Sequence, residues 1–84
     1  MSESVAEVRA VLAAVSESLG SAAQHARFAH DRIEEAVAVL TDLDREHSVS
    51  LVPPELRRAS AELTHGLAAI VGGRDAVAGL DARL

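Results

Sequence analysis

An unbroken heptad pattern in the first half of the chain limits its fold more than any other feature. From residue 5 to residue 43, apolar residues recur at alternating steps of three and four. They are Val5, Val8, Leu12, Val15, Leu19, Ala22, Ala26, Ala29, Ile33, Ala36, Leu40 and Leu43. Such spacing is typical of a long helix that packs along one narrow seam against a partner helix. The pattern therefore predicts an α-helix over about 4–47.

A second interpretation turns on Gly20 and Ser21. Glycine often ends a helix, and Ser21 with Gln24 has the spacing of a capping box that would begin another. This alternative predicts a monomeric three-helix bundle with a turn at Gly20–Ser21. Against it, the heptad register passes residue 20 without a skip, and an interior glycine costs a helix only about 1 kcal/mol relative to alanine. We favour one continuous helix.

The second half predicts a shorter helix. Pro53 and Pro54 cannot lie inside a helix, so we expect a connection over about 48–53 and a helix over about 54–82. Its apolar residues repeat every seven positions, at Leu56, Leu63, Ile70, Val77 and Leu84. The pair Gly72–Gly73 predicts a kink or a loosened turn. The chain is thus predicted to be a single all-α domain over 1–84, a hairpin with Ile33, Ala36, Leu40, Leu56, Leu63, Leu67 and Ile70 in its core.

The two predicted helices differ in length. The first spans ~65 Å and the second ~44 Å at 1.5 Å per residue. The second helix is therefore expected to cover the first only down to about residue 17 or 18. Apolar side chains left without a partner mark an interaction surface. We expect two hairpins to form a homodimeric antiparallel four-helix bundle. The predicted interface residues are Val5, Val8, Val11, Leu12, Val15, Leu19 and Phe28.

Charge and composition argue against several classes of protein. The net charge is -5, and the 8 basic residues, all arginine, form no basic stripe, so neither nucleic acid nor a membrane surface is an expected partner. The chain has no cysteine. Glu3 and Glu7 stand where a signal peptide carries basic residues, and no apolar run approaches the roughly 18 residues that cross a bilayer. We expect a cytoplasmic protein.

Glu62 and His65 form a Glu-x-x-His motif on the second predicted helix. Di-iron carboxylate bundles use this spacing, and Glu34 or Glu35 would supply carboxylates from the first helix of a ferritin-like hairpin. Helical geometry, however, turns His65 away from the core. We therefore expect these residues to be solvated and predict no metal and no cofactor.

Phe28, the only aromatic residue, forms a second cluster with His25, Asp31 and Arg32. It lies opposite the predicted seam. Either the Gly66 or Gly72–Gly73 surface of a neighbouring helix covers it, or it docks a partner protein. No histidine is placed to activate a hydroxyl, and no glycine-rich loop follows a predicted strand, so we do not expect an enzyme.

In general architecture the chain resembles small helical-hairpin substrates of type VII secretion. It shares their length, two amphipathic helices, an acidic alanine-rich composition and an entry into the second helix over residues 51–58, LVPPELRR. It lacks their Trp-x-Gly turn, and without tyrosine it lacks the Tyr-x-x-x-Asp/Glu export signal. The resemblance implies an exported hairpin as the alternative to our main prediction, a non-enzymatic, self-associating helical interaction or scaffold module.

Overall fold

A computed structural model of the protein describes the backbone of residues 2–84 and the side chains of residues 4–84. It contains two helices, α1 over Ser2–Asp44 and α2 over Pro54–Arg83. They pack side by side as a rod of 69 × 15 × 14 Å. The predicted all-α hairpin is confirmed. Among the described residues, neither helix offers a stretch of sufficient length and apolar character to span a membrane.

Helix α1 runs without interruption through Gly20, so the three-helix alternative is wrong. The glycine has a different role. A Cβ built at residue 20 would lie 3.3 Å from Cζ of Arg74 on α2. Gly20 therefore makes room for a side chain of the facing helix and does not end its own.

The carboxylate of Asp44 holds the connection between the helices. Helix α1 ends at Asp44, three residues before the predicted end, and His47 N donates to Asp44 O at 3.0 Å in a turn that follows. The Asp44 side chain then accepts hydrogen bonds from Ser50 Oγ, at 3.2 Å, and from Leu51 N. Val52, within the connection, is 7% exposed. The connection is thereby folded back along the last turn of α1.

Helix α2 reaches further along α1 than predicted. Ser60 Oγ donates to Glu34 Oε1, and Arg9 Nε lies 3.8 Å from Asp81 Oδ1 near the far end. The folded-back connection places the start of α2 below the end of α1, so α2 extends to the level of Arg9 and not only to residue 17 or 18. It remains helical through Gly72–Gly73, where the sequence predicts a kink or loosened turn.

The observed seam of α1 shares only half of its residues with the predicted one. Its members are half-buried or buried, and they are Leu12, Ser16, Leu19, Ala23, Ala26, His30, Ile33, Val37, Leu40 and Asp44. From residue 15 onwards, every second position of the observed seam is one residue later than predicted: 16, 23, 30, 37 and 44 in place of 15, 22, 29, 36 and 43. The prediction of Ala36 as a core residue is wrong, since Ala36 is exposed and Val37 is turned towards α2 in its place. On α2, the predicted Leu56, Leu63, Leu67 and Ile70 are all half-buried.

Candidate functional site

One heptad column of α1 is apolar throughout and yet lies outside the seam. This outer column consists of Val8, Val15, Ala22, Ala29, Ala36 and Leu43, all exposed except Ala29, which is half-buried. Its large members are exposed: Val15 by 40%, Val8 by 44% and Leu43 by 48%. Residues seven apart share a face of a helix that winds around a partner, so the six side chains form a continuous line beside the seam.

Two further valines widen this line. Val11 and Val39, each 61% exposed, belong to the next heptad column around α1. We call the outer column together with Val11 and Val39 the apolar strip. It is bulky at both ends and small in the middle, where its outer-column members are alanines. Val5, 36% exposed, continues the apolar surface beyond the end of α2.

The side of α2 that lies next to the apolar strip carries mostly small residues. Ser60 contacts Glu34, and Arg74 lies over Gly20, which places the column of Ser60 and Arg74 on the side of α1 away from the apolar strip. The heptad column of α2 that stands one residue before Ser60 and Arg74 in the sequence must then lie on the same side as the apolar strip. Its residues are small over three of four positions, and they are Ala59, Gly66, Gly73 and Leu80. Both helices therefore contribute apolar surface to one face of the hairpin.

Polar contacts concentrate on the opposite flank. There, Ser60, 8% exposed, donates to Glu34, and Arg74 Nε donates to Ser16 Oγ at 3.4 Å. These contacts join α1 to α2 within one chain. The hairpin thus has one flank closed by its own polar side chains and one flank, the apolar strip, that is open.

The predicted interface residues divide into three groups. Val5, Val8, Val11 and Val15 are exposed on or next to the apolar strip. Leu12 and Leu19 are half-buried against α2, and Leu12 shares a small cavity with Val77. Their burial within the hairpin is the consequence of the longer reach of α2.

Phe28 lies on a third surface. It is 62% exposed, so the prediction that a glycine surface of a neighbouring helix covers it is wrong within the hairpin. The Arg32 guanidinium carbon lies 5.0 Å from the centroid of its ring, and Arg32 Nη1 donates to Glu35 Oε2 at 3.1 Å. A cation–π contact at an exposed site is worth about 0.5–1 kcal/mol.

The candidate metal-ligating residues are not brought together. Glu34 is engaged by Ser60 and Glu35 by Arg32. Glu62 and His65 lie with Arg58 in a shallow depression on the exposed face of α2. Among the described residues, no group of three or more histidine, aspartate or glutamate side chains is arranged to hold a metal ion.

Comparison of the chain with protein-family models, with curated proteins and with solved structures finds no match. The exposed residues of the apolar strip that are absent from the predicted interface are Ala22, Ala36, Val39 and Leu43. Their signal was present as a third apolar column: α1 has apolar residues on three adjacent columns, while one facing helix covers two.

Proposed function

We propose that the protein is a non-enzymatic helical interaction module that associates with itself. Two hairpins pack through their apolar strips and form a four-helix bundle. The observation that supports this proposal is the exposure of an apolar line from Val8 to Leu43 along one flank of α1. Single exposed apolar side chains are ordinary on a protein surface, whereas a contiguous patch of this length marks a protein–protein contact.

The surface area of the hairpin supports the same proposal. Its accessible surface is 6249 Å², whereas a compact chain of 8.8 kDa exposes about 4,800 Å². The excess is about 1,500 Å² per chain by that relation, so a dimer that removed it would bury about 3,000 Å² in total. Obligate homodimers bury about 2,000–5,000 Å². The excess surface of the elongated hairpin is thus of the size that a stable dimer buries.

The interior of the single hairpin is small. Among the described residues, the buried apolar side chains are Ala23 at 4% and Val52 at 7%, and no side chain falls below 2% exposure. A lone core in a chain of this size is already marginal, because folding of so short a chain buries only about 60% of its surface. A second copy on the apolar strip would supply the missing burial.

Sedimentation equilibrium with matched variants tests the proposal. The wild-type chain is expected at twice its 8.8 kDa mass at micromolar concentration. Val15→Glu puts a charge on the apolar strip and is expected to return the mass to that of one chain. Ala14→Glu, one residue away on an exposed face outside the strip, is the control and should remain dimeric. A wild-type protein that sediments only as a single chain at these concentrations overturns the proposal.

A further inference from the structure

Resting on the proposed self-association, we infer the geometry of the pair: α1 of one copy lies against α1 of a second copy in the opposite direction. The twofold axis then passes beside His25, perpendicular to the helices. Helix α2 of each copy lies against α2 of the other. The occupant of the apolar strip is thus the same strip of a second chain.

The order of side chains along the strip supports this arrangement. With the residues between its apolar members included, it reads Val8, Val11, Val15, Ser18, Ala22, His25, Ala29, Arg32, Ala36, Val39, Leu43. The order of residue types along the series is nearly the same whether it is followed from Val8 or from Leu43. Large apolar residues stand at both ends, polar residues at positions 18 and 32, alanines at 22 and 29, and His25 at the centre.

Antiparallel pairing therefore matches like with like, except that Val15 meets the smaller Ala36 of the second copy. Val8 meets the second copy's Leu43, and Val11 meets the second copy's Val39. Ser18 meets the second copy's Arg32, so polar groups face polar groups at the edge of the contact. Near the axis, Ala22 meets the second copy's Ala29, and these small side chains let the two backbones approach closely.

The other twofold arrangement of two hairpins fits less well. It would set α1 against α2 of the second copy with both chains at the same level. The Glu34–Ser60 pairing fixes that level near the connection, and it brings Val39 against the second copy's Glu55. Covering a charged group with an apolar one is unfavourable. The compensating pair, Arg32 with the second copy's Glu62, is exposed, and such pairs contribute about 0–1 kcal/mol.

The N-terminal end of α1, which reaches past the end of α2, also supports the antiparallel pairing of the two α1 helices. Val8 lies beside the last turn of α2, which ends at Arg83, and Val5 lies past that end; both valines are exposed. In the antiparallel pair, this end of α1 lies against the connection end of the second copy, where Leu43 and Val39 are exposed. Each copy thus covers both exposed ends of the other.

The absence of cysteine from the sequence makes disulfide cross-linking a clean test. His25→Cys is expected to form a covalent dimer on mild oxidation, because residue 25 meets itself at the axis. Val11→Cys alone and Val39→Cys alone should remain uncrosslinked, whereas a mixture of these two variants should yield the mixed disulfide dimer. The mass of each reduced variant is measured in parallel, so that failure to associate is seen separately from failure to cross-link.

A spin label at an exposed position gives a second readout that leaves the strip intact. Labels on Asp42→Cys are expected about 50 Å apart in the antiparallel pair, from 1.5 Å per residue over the offset between the two copies. The other arrangement holds them within the width of the bundle, about 20–25 Å for two helix diameters. Dimeric mass with the short distance, or with cross-linking of Val39→Cys to Glu55→Cys, overturns the antiparallel geometry while leaving self-association in place.

Discussion

The guanidinium of Arg74 lies over Gly20, with Cζ 3.3 Å from the point that a Cβ on residue 20 would occupy. Its Nε donates to Ser16 Oγ at 3.4 Å. One contact between the two helices thus accounts for a glycine inside α1 and for an arginine on the half-buried side of α2. It also closes the flank of the hairpin opposite the apolar strip.

Replacement of Gly20 by alanine should stabilise the hairpin only slightly. Alanine favours a helix interior over glycine by about 1 kcal/mol, but here the new methyl group displaces the tip of Arg74 and weakens its hydrogen bond. Gly72→Ala is the matched control, because nothing lies within 4 Å of a Cβ at that residue, and it should gain the full amount. Urea unfolding at fixed protein concentration measures both free energies.

The Arg74→Ala background separates the two contributions to the Gly20 effect. Without the guanidinium, Gly20→Ala should gain as much as Gly72→Ala does, because only helix propensity remains. If Gly20→Ala gains equally in the presence and absence of Arg74, the close approach of these residues has no energetic consequence, and Gly20 is not needed to make room for the Arg74 side chain.

Asp44→Ala should destabilise the hairpin. The change removes the acceptor for Ser50 Oγ and for the backbone N–H of Leu51, and hydrogen bonds to a charged group contribute about 1.5–3 kcal/mol. Asp42→Ala is the control, since Asp42 faces solvent and makes only an exposed ion pair with Arg45 at 3.5 Å. Thermal unfolding followed by circular dichroism compares them. Equal effects of the two changes would contradict the anchoring role of Asp44.

The continuity of α1 was predictable because it depends on local chemistry. A turn at Gly20 would have no reason to keep Leu19 and Ala22 in one register, and α1 does run through this point. The prolines at 53 and 54 fixed where the chain turns, by the same kind of local argument. Such features need no knowledge of the facing helix.

The choice of seam was not predictable from α1 alone. Val15 and Ala29 are more apolar than Ser16 and His30, which stand one residue later in the observed seam, so hydrophobicity favours the wrong column. The correct column becomes intelligible only with α2, whose Arg74 reaches Ser16 and whose Ser60 reaches Glu34 beside His30. The reach of α2 was likewise hidden, because it depends on how Asp44 folds the connection back.

Ser60→Ala should lower the free energy of unfolding by about 1 kcal/mol. The hydroxyl is buried and donates to Glu34 Oε1 across the hairpin. A hydrogen bond to a charged group contributes about 1.5–3 kcal/mol, and the contribution is smaller here because the Glu34 side chain is 51% exposed to water. Ser21→Ala, on an exposed surface of α1, should be neutral or slightly stabilising because alanine favours the helix. Denaturant titration of the two variants at one concentration provides the comparison, and a neutral Ser60→Ala would contradict the contact.

Substitutions of Val37 and Val39 test which face of α1 packs within the hairpin and which face packs between two copies. Val37 is half-buried in the seam, and Val39 is 61% exposed on the apolar strip. Val37→Ala removes contacts within one chain, so it should lower stability by about 1–2 kcal/mol, at 0.8 kcal/mol per buried methylene equivalent. This loss should be similar at low and high protein concentration.

Val39→Ala removes contacts between chains. It should weaken dimerisation about tenfold or more, since 1.4 kcal/mol corresponds to a factor of ten and two copies lose the same group. Its effect on unfolding should depend on protein concentration, because only the dimer contains the lost contact. Sedimentation and urea unfolding over a hundredfold dilution series, an interval of about 2.7 kcal/mol in association free energy, measure this dependence. If Val37→Ala instead weakens association while Val39→Ala leaves it unchanged, α1 uses its seam column between chains, and the assignment of the two faces is reversed.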